Sequence, residues 1–583
     1  MSNSTKQFVR AAALAEVENN GRLTVQVEGH TVALFTHEGS VFAVDNRCPH
    51  MGFPLDQGTL HDGILTCHWH HARFDLDSGG TFDQWADDVR YFPVEIREGE
   101  VWVDIADHID PCLHQCGRLL IGLERDIPLV IGKAVLQLAE GDREMAEPFR
   151  SGLEFGAAFR WWGWGQGLTI LTCLMNILPT LQEDDRPRAL YQGLSAVSRE
   201  LSGSAPRFGV SPLPEATGDI PTLKRWFRRF IEVRDAEGAE RCLVSAIAAG
   251  ADDRQAADML FAAATDHRYL QIGHVLDFTN KAFEASDIAG WDLAGTLLTS
   301  LVRSYATADR MEESNSWRNP VDLVAILENS FDKLPAALAE GRLQRENVGA
   351  LWPGRDELVV VILDDDPRAT VDAMLAALAE GATEVDLASA VSYAAALRIA
   401  RFHTSNEFSD WDTALHTFTF ANAVEQGLRR APSVELLRGV FDAAMSVYLD
   451  RFLNIPPARL PQPAEEATDK EALLKSLSAL LDRQQQVDRA GEIVAHYLYA
   501  GGDQQRLMAM MGALLLREDR DFHTIQTMEA AFKQAQLLQG SEGAVHVLVA
   551  AVRYLAAHAP TVRSQGQTFE IARRLHRGDR LHV

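Results

Sequence analysis

The sequence predicts a multidomain protein in which a small all-β domain, residues 1–106, precedes a large all-α helical-repeat domain, residues 107–583. In the first region, short runs of alternating apolar and polar residues are separated by glycine turns, which is the two-residue period of β-strands. In the second, Ala- and Leu-rich segments repeat their apolar residues every 3.6 positions, as helices do. With 583 residues and 46% apolar content, the chain can form roughly two to four domains with large cores.

The strands predicted in the first domain frame a pair of loops. The segment "RLTVQVEGHTVALFTHEGSVFAV" begins at Arg22 and "VRYFPVEIREGEVWVDI" begins at Val89, and both alternate in polarity around glycines. Short antiparallel strands joined by tight turns fit this pattern. We therefore expect the chain between these segments to be carried as loops on a β framework.

Four metal-binding side chains lie in those loops. Cys48 and His50 form a C-x-H pair, Cys67 and His70 form a C-x-x-H pair, and sixteen residues lie between the pairs. Thiolate and imidazole ligands suit both tetrahedral zinc and iron–sulfur centres. Each pair mixes one cysteine with one histidine, which favours a 2Fe-2S cluster with two cysteines on one iron and two histidines on the other. A zinc site remains the alternative.

The motifs "CPH" at residues 48–50 and "CHWH" at residues 67–70, followed by "HARFDLDSGGTF", resemble the Rieske family over roughly the first 106 residues. The resemblance implies a [2Fe-2S] cluster in which Cys48 and Cys67 bind the inner iron, and His50 and His70 bind the outer, more exposed iron. His71 departs from the family, which often has a small residue there. The extra loop cysteines of the disulfide-braced respiratory members are absent, so the domain is similar to the ferredoxin or oxygenase versions.

Composition and charge exclude several classes of function. The chain has 55 Lys and Arg against 82 Asp and Glu, a net charge of −27, which argues against binding to nucleic acid. The N-terminus lacks the apolar core of a secretory signal, and the longest apolar run, "LTILTCLMNIL", is too short to cross a membrane. Six cysteines are too few to suggest a disulfide framework. We expect a soluble cytoplasmic protein.

The helical region contains internal repeats, each passing through a glycine-containing turn into further helices. Three copies begin near Leu243, Met374 and Ala495, and a proline-rich stretch near residues 456–472 predicts an internal linker. The copies place a histidine at one equivalent position, namely His274, His416 and His523. Such repeats stack side by side because one unit alone cannot bury its apolar face.

The equivalent histidines have two interpretations: packing residues retained when the repeats were copied, or groups that converge on a metal or substrate. Acidic neighbours favour the second, since a carboxylate on the same helix face can orient an imidazole. Asp412 and Asp519 lie four residues before His416 and His523, and Asp277 lies three after His274. In a straight solenoid, imidazoles on helices 8–10 Å apart cannot share a metal at ~2.1 Å. Convergence therefore requires a tightly curved or toroidal array.

Two functions fit these patterns. In the first, the protein is an oxidoreductase whose cluster passes electrons to a second non-haem metal at His274, His416 and His523, as an oxygenase or oxidase acting on a small molecule. In the second, it is an electron-transfer or redox-sensing protein whose repeats form a protein-binding scaffold. Both need an electron donor such as a reductase. The mostly β catalytic domain of Rieske oxygenases is not expected, because the remainder of the chain is helical and lacks an H-x-x-x-x-H ligand pair.

Overall fold

The computed structural model describes residues 6–106, 111–139, 145–214, 219–348, 352–463, 469–579 and 581. The chain divides into two compact units, residues 1–151 together with 564–583, and residues 152–563. A small β domain and a large helical region are both present, so the predicted fold class is confirmed. The first unit includes helical segments in addition to the β domain.

The β domain consists of three antiparallel three-stranded sheets among the described residues, in the orders β1-β9-β8, β2-β3-β4 and β5-β6-β7. The strands are β1 (Phe8–Ala13), β2 (Arg22–Val27), β3 (His30–His37), β4 (Ser40–Asp45), β5 (Thr59–His61), β6 (Ile64–Thr66), β7 (Arg73–Asp75), β8 (Val94–Arg97) and β9 (Glu100–Asp104), with one short helix, α1 (Leu14–Asn20).

Two apolar clusters hold the β domain together. In one, Val32 packs with Val101 and Val103, all fully buried between the sheets. In the other, Leu65 and Phe74 are paired across β6 and β7 and pack around Cys48 and Cys67. The hairpin that presents the second cysteine is therefore fixed to the core directly beneath it.

The first unit also contains three helices with bounds α2 (Pro111–Arg125), α3 (Pro128–Leu138) and α26 (Ser564–His576). Helix α3 packs against both α2 and α26. Arg47 of the β domain donates hydrogen bonds of 2.9 Å to the carbonyls of Leu575 and Asp579. The last helix of the chain is thereby tied to the loop that begins at Cys48.

The helices assigned to the second unit, the first of which starts in the preceding unit, are α4 (Ala146–Ala158), α5 (Gln166–Ile177), α6 (Arg186–Leu201), α7 (Ile220–Glu232), α8 (Ala236–Ala248), α9 (Asp253–Ala264), α10 (His274–Ala289), α11 (Ala294–Thr299), α12 (Val302–Thr307), α13 (Asn315–Arg318), α14 (Leu323–Phe331), α15 (Leu334–Val348), α16 (Arg355–Ile362), α17 (Pro367–Ala379), α18 (Glu384–Ala400), α19 (Asp410–Arg430), α20 (Val434–Leu449), α21 (Lys470–Leu480), α22 (Val487–Tyr499), α23 (Gln504–Leu516), α24 (Phe522–Leu537) and α25 (Glu542–Ala557). Residues 455–463 form no helix or strand, and residues 464–468 of the predicted linker lie outside the described residues.

The glycine turns of the three repeats share one local geometry. Gly250, Gly381 and Gly501 follow α8, α17 and α22 with φ of 91°, 110° and 72°, a region that glycine enters without steric cost. Two residues later, the side chain of Asp252, Thr383 or Asp503 accepts a hydrogen bond from a backbone N–H in the first turn of the next helix. In each repeat, only four residues thus separate the end of one helix from the start of the next.

Helices α5, α10, α19 and α24 surround a common interior: α10 packs against α19, α19 against α24, α24 against α5, and α5 against α10. The three histidine-bearing helices of the repeats therefore belong to one closed ring. Buried residues of α19, including Leu415, Phe418 and Val424, are at most 1% exposed. No helix in the described part of the chain combines the length and apolar character needed to cross a membrane.

Candidate metal centres

Two tight turns present the cysteine–histidine pairs of the β domain. In the first, the N–H of Gly52 donates to the carbonyl of Cys48, and the N–H of Cys48 donates to Phe53, both at 2.8 Å. In the second, the N–H of Cys67 donates to Ala72 at 2.8 Å and that of His71 donates to Cys67 at 3.0 Å. Each turn folds its pair back toward the other loop.

The cysteines lie inside and the histidines outside. Cys48 and Cys67 are only 2% and 1% exposed, whereas His50 is half-buried and His70 is exposed. The rings of His50 and His70 lie edge to face with centroids 4.7 Å apart. This arrangement agrees with an inner pair of thiolates and an outer pair of imidazoles.

The chemistry of these side chains fits a [2Fe-2S] cluster. A hydrogen bond between the two thiols lowers the pKa of Cys67 to about 6 and raises that of Cys48. Burial lowers the pKa of His50 to about 4, with Lys133 and His70 adding repulsion. The Nδ1 atom of His50 is buried without a hydrogen-bond partner, which is costly unless a ligand such as a metal engages it.

His71 follows the second pair in a left-handed conformation, with φ of 63°. A residue with a side chain pays steric strain there, whereas glycine does not. This explains physically why a small residue is usual at this position in the Rieske family. Because His71 is exposed, its ring is accommodated in solvent.

In the helical unit, the structure brings together His274, His416 and His523. One ring nitrogen from each lies within 4.8 Å of the others. The Nε2 atoms of His416 and His523 are 3.1 Å apart, close to the ~3.0–3.4 Å spacing of two ligands at ~2.1 Å from one metal. A metal held by all three would need the widest pair to close by about 1.5 Å.

Two of the three rings, those of His416 and His523, are suited to bind a metal as neutral ligands. Burial and the two neighbouring imidazoles lower the pKa of His416 to about 2, and burial also lowers the pKa of His523. Phe278 stacks on His274 with centroids 5.3 Å apart, and Phe522 lies 5.6 Å from the same ring. The site is therefore partly shielded by aromatic side chains.

Two of the three predicted carboxylates lie beside the imidazoles. Asp277 Oδ2 accepts a hydrogen bond of 3.2 Å from Nδ1 of His274, and its Oδ1 is buried without a hydrogen-bond partner. Asp412 lies 3.8 Å from Nδ1 of His523 and accepts a 2.7 Å hydrogen bond from the hydroxyl of Tyr554. The contact with Asp412 leaves Nε2 of His523 facing Nε2 of His416.

Two expectations about these carboxylates were wrong. Asp412 faces His523 on the neighbouring helix, not His416 on its own helix. Asp519 does not share a helix face with His523, because α24 begins only at Phe522 and Asp521 caps it. Asp412 contacts a histidine of α24 because α19 and α24 pack side by side in the ring of helices. Asp519 precedes the N-cap residue Asp521, so it lies outside α24.

The chain reaches His274 through a strained turn. Tyr269, Gln271 and Ile272 have φ of 44°, 49° and 50°, and Gly273 follows at 95°. Left-handed conformations cost non-glycine residues about 1–2 kcal/mol each. The N–H of Gln271 donates to the carbonyl of Asp309 at 2.8 Å, which helps to hold the turn. The strained residues immediately precede His274, whose side chain lies in the interior of the ring of helices.

A buried polar group on the same helices was not identified from the sequence. Lys281 donates to Glu284 at 2.7 Å and to Glu529 at 2.6 Å, and Asn176 donates to both carboxylates at 2.7 and 2.9 Å. The signal was present in part, because Asn280, which matches Asn422 in the repeats, also donates to Glu284. The interior of the ring is therefore polar beyond the histidines.

Comparisons with known proteins identify the β domain. A family model described as the Rieske [2Fe-2S] domain matches residues 7–92. The ferredoxin component of the naphthalene 1,2-dioxygenase system of Pseudomonas aeruginosa is 31% identical over 103 residues, covering 18% of this chain and 99% of that protein. Apoptosis-inducing factor 3 of Homo sapiens is 32% identical over 103 residues, 17% of each chain.

Among solved structures, the ferredoxin of Sphingomonas yanoikuyae B1 is 27% identical, with 17% of this chain and 98% of that chain covered and a TM-score of 0.16. No family model matches the helical region. The predicted [2Fe-2S] cofactor follows from the matched domain. Through this N-terminal domain, the chain belongs to the Rieske [2Fe-2S] family.

Proposed function

We propose that the protein is an oxidoreductase in which the Rieske cluster passes electrons to a second metal centre in the helical unit. The second centre is a non-haem iron, and the reaction is an oxygenation or oxidation of a small molecule. The proposed residues are Cys48, His50, Cys67 and His70 for the cluster and His274, His416 and His523 for the second metal. We place this activity in the cytoplasm.

The convergence of the three repeat histidines carries the proposal. Equivalent residues of separate repeats need not meet, and in a straight stack they would stay 8–10 Å apart. Here their ring nitrogens lie within 4.8 Å of one another. Imidazole ligands suit zinc, copper, nickel and iron alike. We favour a redox-active metal such as iron over zinc, because a one-electron donor in the same chain is of use only to a centre that changes oxidation state.

The side chains around the histidines prepare them to bind. Asp277 accepts a hydrogen bond from the Nδ1–H of His274, and Asp412 lies 3.8 Å from Nδ1 of His523. The hydrogen bond to Asp277 favours the His274 tautomer that leaves Nε2 unprotonated, and the charge of Asp412 acts on His523 in the same direction. Phe278 and Phe522 cover the ring of His274 and limit the access of water. When bound, iron would supply the activation of dioxygen.

The β domain supplies electrons. A Rieske cluster carries one electron at a time, and its irons have no free position for substrate. The relative from Pseudomonas aeruginosa is a ferredoxin component of a dioxygenase system, and here such a domain is covalently joined to the unit it would serve. Covalent linkage raises the effective concentration of donor at acceptor. We infer that a separate reductase supplies the cluster.

Metal and sulfide analysis of the full chain tests the proposal. We expect three irons and two acid-labile sulfides per chain in the native protein, and two of each in His416→Ala. Cys67→Ser should retain one iron and lose both sulfides. His403→Ala is a matched control, because His403 lies in the same unit and pairs with Ser405 outside the histidine cluster, so its metal content should equal that of the native protein.

The alternative function gives a different result. If the helical unit is a protein-binding scaffold, the native protein and His416→Ala should contain the same two irons and no other transition metal. Zinc bound in place of iron would retain the site but contradict electron transfer to it. Both outcomes are distinguishable in one elemental analysis.

A further inference from the structure

Two helices outside the family-matched region, residues 7–92, extend cations to the loops of the Rieske domain. Arg118 comes from α2 and Lys133 from α3, and their side chains are only 6% and 13% exposed. Buried cations of this kind are rare unless they are paired and hydrogen-bonded. Their partners lie in the first ligand loop and in the segment around Trp85.

Lys133 is directed at the first ligand loop. Its ammonium donates to the carbonyl of Pro49 and, at 3.1 Å, to the carbonyl of His50, the proposed outer-iron ligand. Its third contact is Asp87 Oδ2 at 3.1 Å. All three N–H donors of the lysine are thus used. Two of them hold the backbone carbonyls that precede and follow the Cα atom of His50.

Arg118 fixes the segment whose Trp85 side chain packs against the ring of His50. It donates to Gln84 and Ala86 carbonyls at 3.0 and 2.7 Å, so it fixes the backbone on both sides of Trp85. The ring of Trp85 lies edge to face against His50 with centroids 4.7 Å apart. Arg118 also donates to Asp87 Oδ1 at 2.9 Å. The two cations therefore share one carboxylate and together enclose the same histidine.

The charge of this group is unbalanced. Burial by itself would raise the pKa of Asp87, but Lys133 and Arg118 outweigh it and lower that pKa, so the carboxylate stays ionised. Two cations and one anion leave one net positive charge behind the first ligand loop. In a partly buried site this charge is weakly screened and acts on its neighbours more strongly than a surface charge.

We propose that Lys133 is a positioning residue that raises the reduction potential of the Rieske cluster, with Asp87 opposing it. Reduction adds one electron to the cluster and makes it one unit more negative. A fixed positive charge next to the loop of His50 favours that reduced state, because it offsets the added negative charge. The step forms and breaks no covalent bond. The proposal does not depend on the second metal.

Redox titration of the intact holoprotein at a fixed pH tests this role. Lys133→Met should lower the potential, so that the ratio of reduced to oxidised cluster at a fixed ambient potential falls about tenfold, which is about 59 mV for one electron. Asp87→Asn should raise the ratio, because it removes the opposing charge. Lys133→Arg keeps the charge and should remain within about threefold of the native protein.

Lys6→Met is the matched control, because it removes the same charge from an exposed position on the same unit and should not change the potential. A purely structural role would lower stability or cluster content in both Lys133→Met and Asp87→Asn, without potential shifts of opposite sign. Equal potentials in native protein and both variants would overturn the proposal. If Lys133→Met fails to assemble a cluster, Asp87→Asn decides alone: a raised potential supports the proposal, and an unchanged or lowered one refutes it.

Discussion

Replacing Gly273 with alanine should displace the turn that delivers His274 to the ring interior. Gly273 has φ of 95°, and a Cβ atom there would lie 2.9 Å from Cβ of Phe420 and 3.1 Å from Cε2 of Tyr269. Neither neighbour can move freely, since both are buried and stack edge to face at 4.8 Å. The substitution therefore combines backbone strain with a steric clash.

The two contributions can be estimated separately. The positive φ should cost alanine about 1–2 kcal/mol, and forcing a methyl group against the packed rings should cost about 1–3 kcal/mol. The free energy of unfolding of the helical unit should therefore fall by about 2–5 kcal/mol. His274 adjoins the site of strain, so metal retained at the histidine cluster should also decrease.

Gly250→Ala isolates the backbone contribution. Gly250 has φ of 91°, and a Cβ atom built there meets nothing within 4 Å. Thermal unfolding followed by helical circular dichroism should show a larger decrease in the midpoint for Gly273→Ala than for Gly250→Ala. Only Gly273→Ala should lower the metal content. Equal decreases in both variants, with unchanged metal, would refute the inference that this turn positions His274.

Four further predictions concern single residues of the two units. His70→Cys should lower the cluster potential in a redox titration, because thiolate adds negative charge, and Cys48→Ser should eliminate both irons and sulfides of the cluster; retention of either would contradict the ligand assignment. Lys281→Met should lower the free energy of unfolding by about 3–5 kcal/mol in denaturant titrations, because two buried carboxylates lose their cation; a loss below about 1 kcal/mol would refute this. Burial raises the pKa of Asp450 to about 7, above the unfolded value of 3.8, so its contribution to stability is complete below pH 4 and is lost as pH rises through 7. As pH rises from 4 to 7, the free energy of unfolding of Asp450→Asn should therefore increase by up to about 4 kcal/mol relative to that of the native protein. A difference that does not depend on pH would contradict the assignment.

Local sequence patterns predicted the parts of the structure that depend on local geometry. Apolar and polar residues alternate along β2, β3 and β4, and this pattern is visible in each short segment. Cys48 and Cys67 each lie in a tight turn beside a histidine, which is also a local pattern. The repeat glycines and the caps that follow them are also local, and so the equivalence of the three histidines could be recognised. The three histidines converge only because the helices close into a ring. The sequence showed that convergence requires such closure but could not predict that closure occurs.

The remaining features depend on contacts between distant residues. Arg47 binds the carbonyl of Leu575, and Lys133 binds that of His50, yet nothing in either local pattern identifies the partner. Asp412 pairs with His523 because two helices pack side by side, although residue spacing alone favoured its own helix. The partners of long polar side chains are decided by tertiary packing, which no helical or strand period encodes.

Anomalous scattering at the iron absorption edge, from crystals of the intact protein, tests the central claim most directly. We expect one iron peak in the helical unit at about 2.1 Å from Nε2 of His274, His416 and His523, in addition to the two irons of the Rieske cluster. A map with iron only at the Rieske cluster, and with the three imidazoles hydrogen-bonded to one another or to water, would contradict a second iron centre.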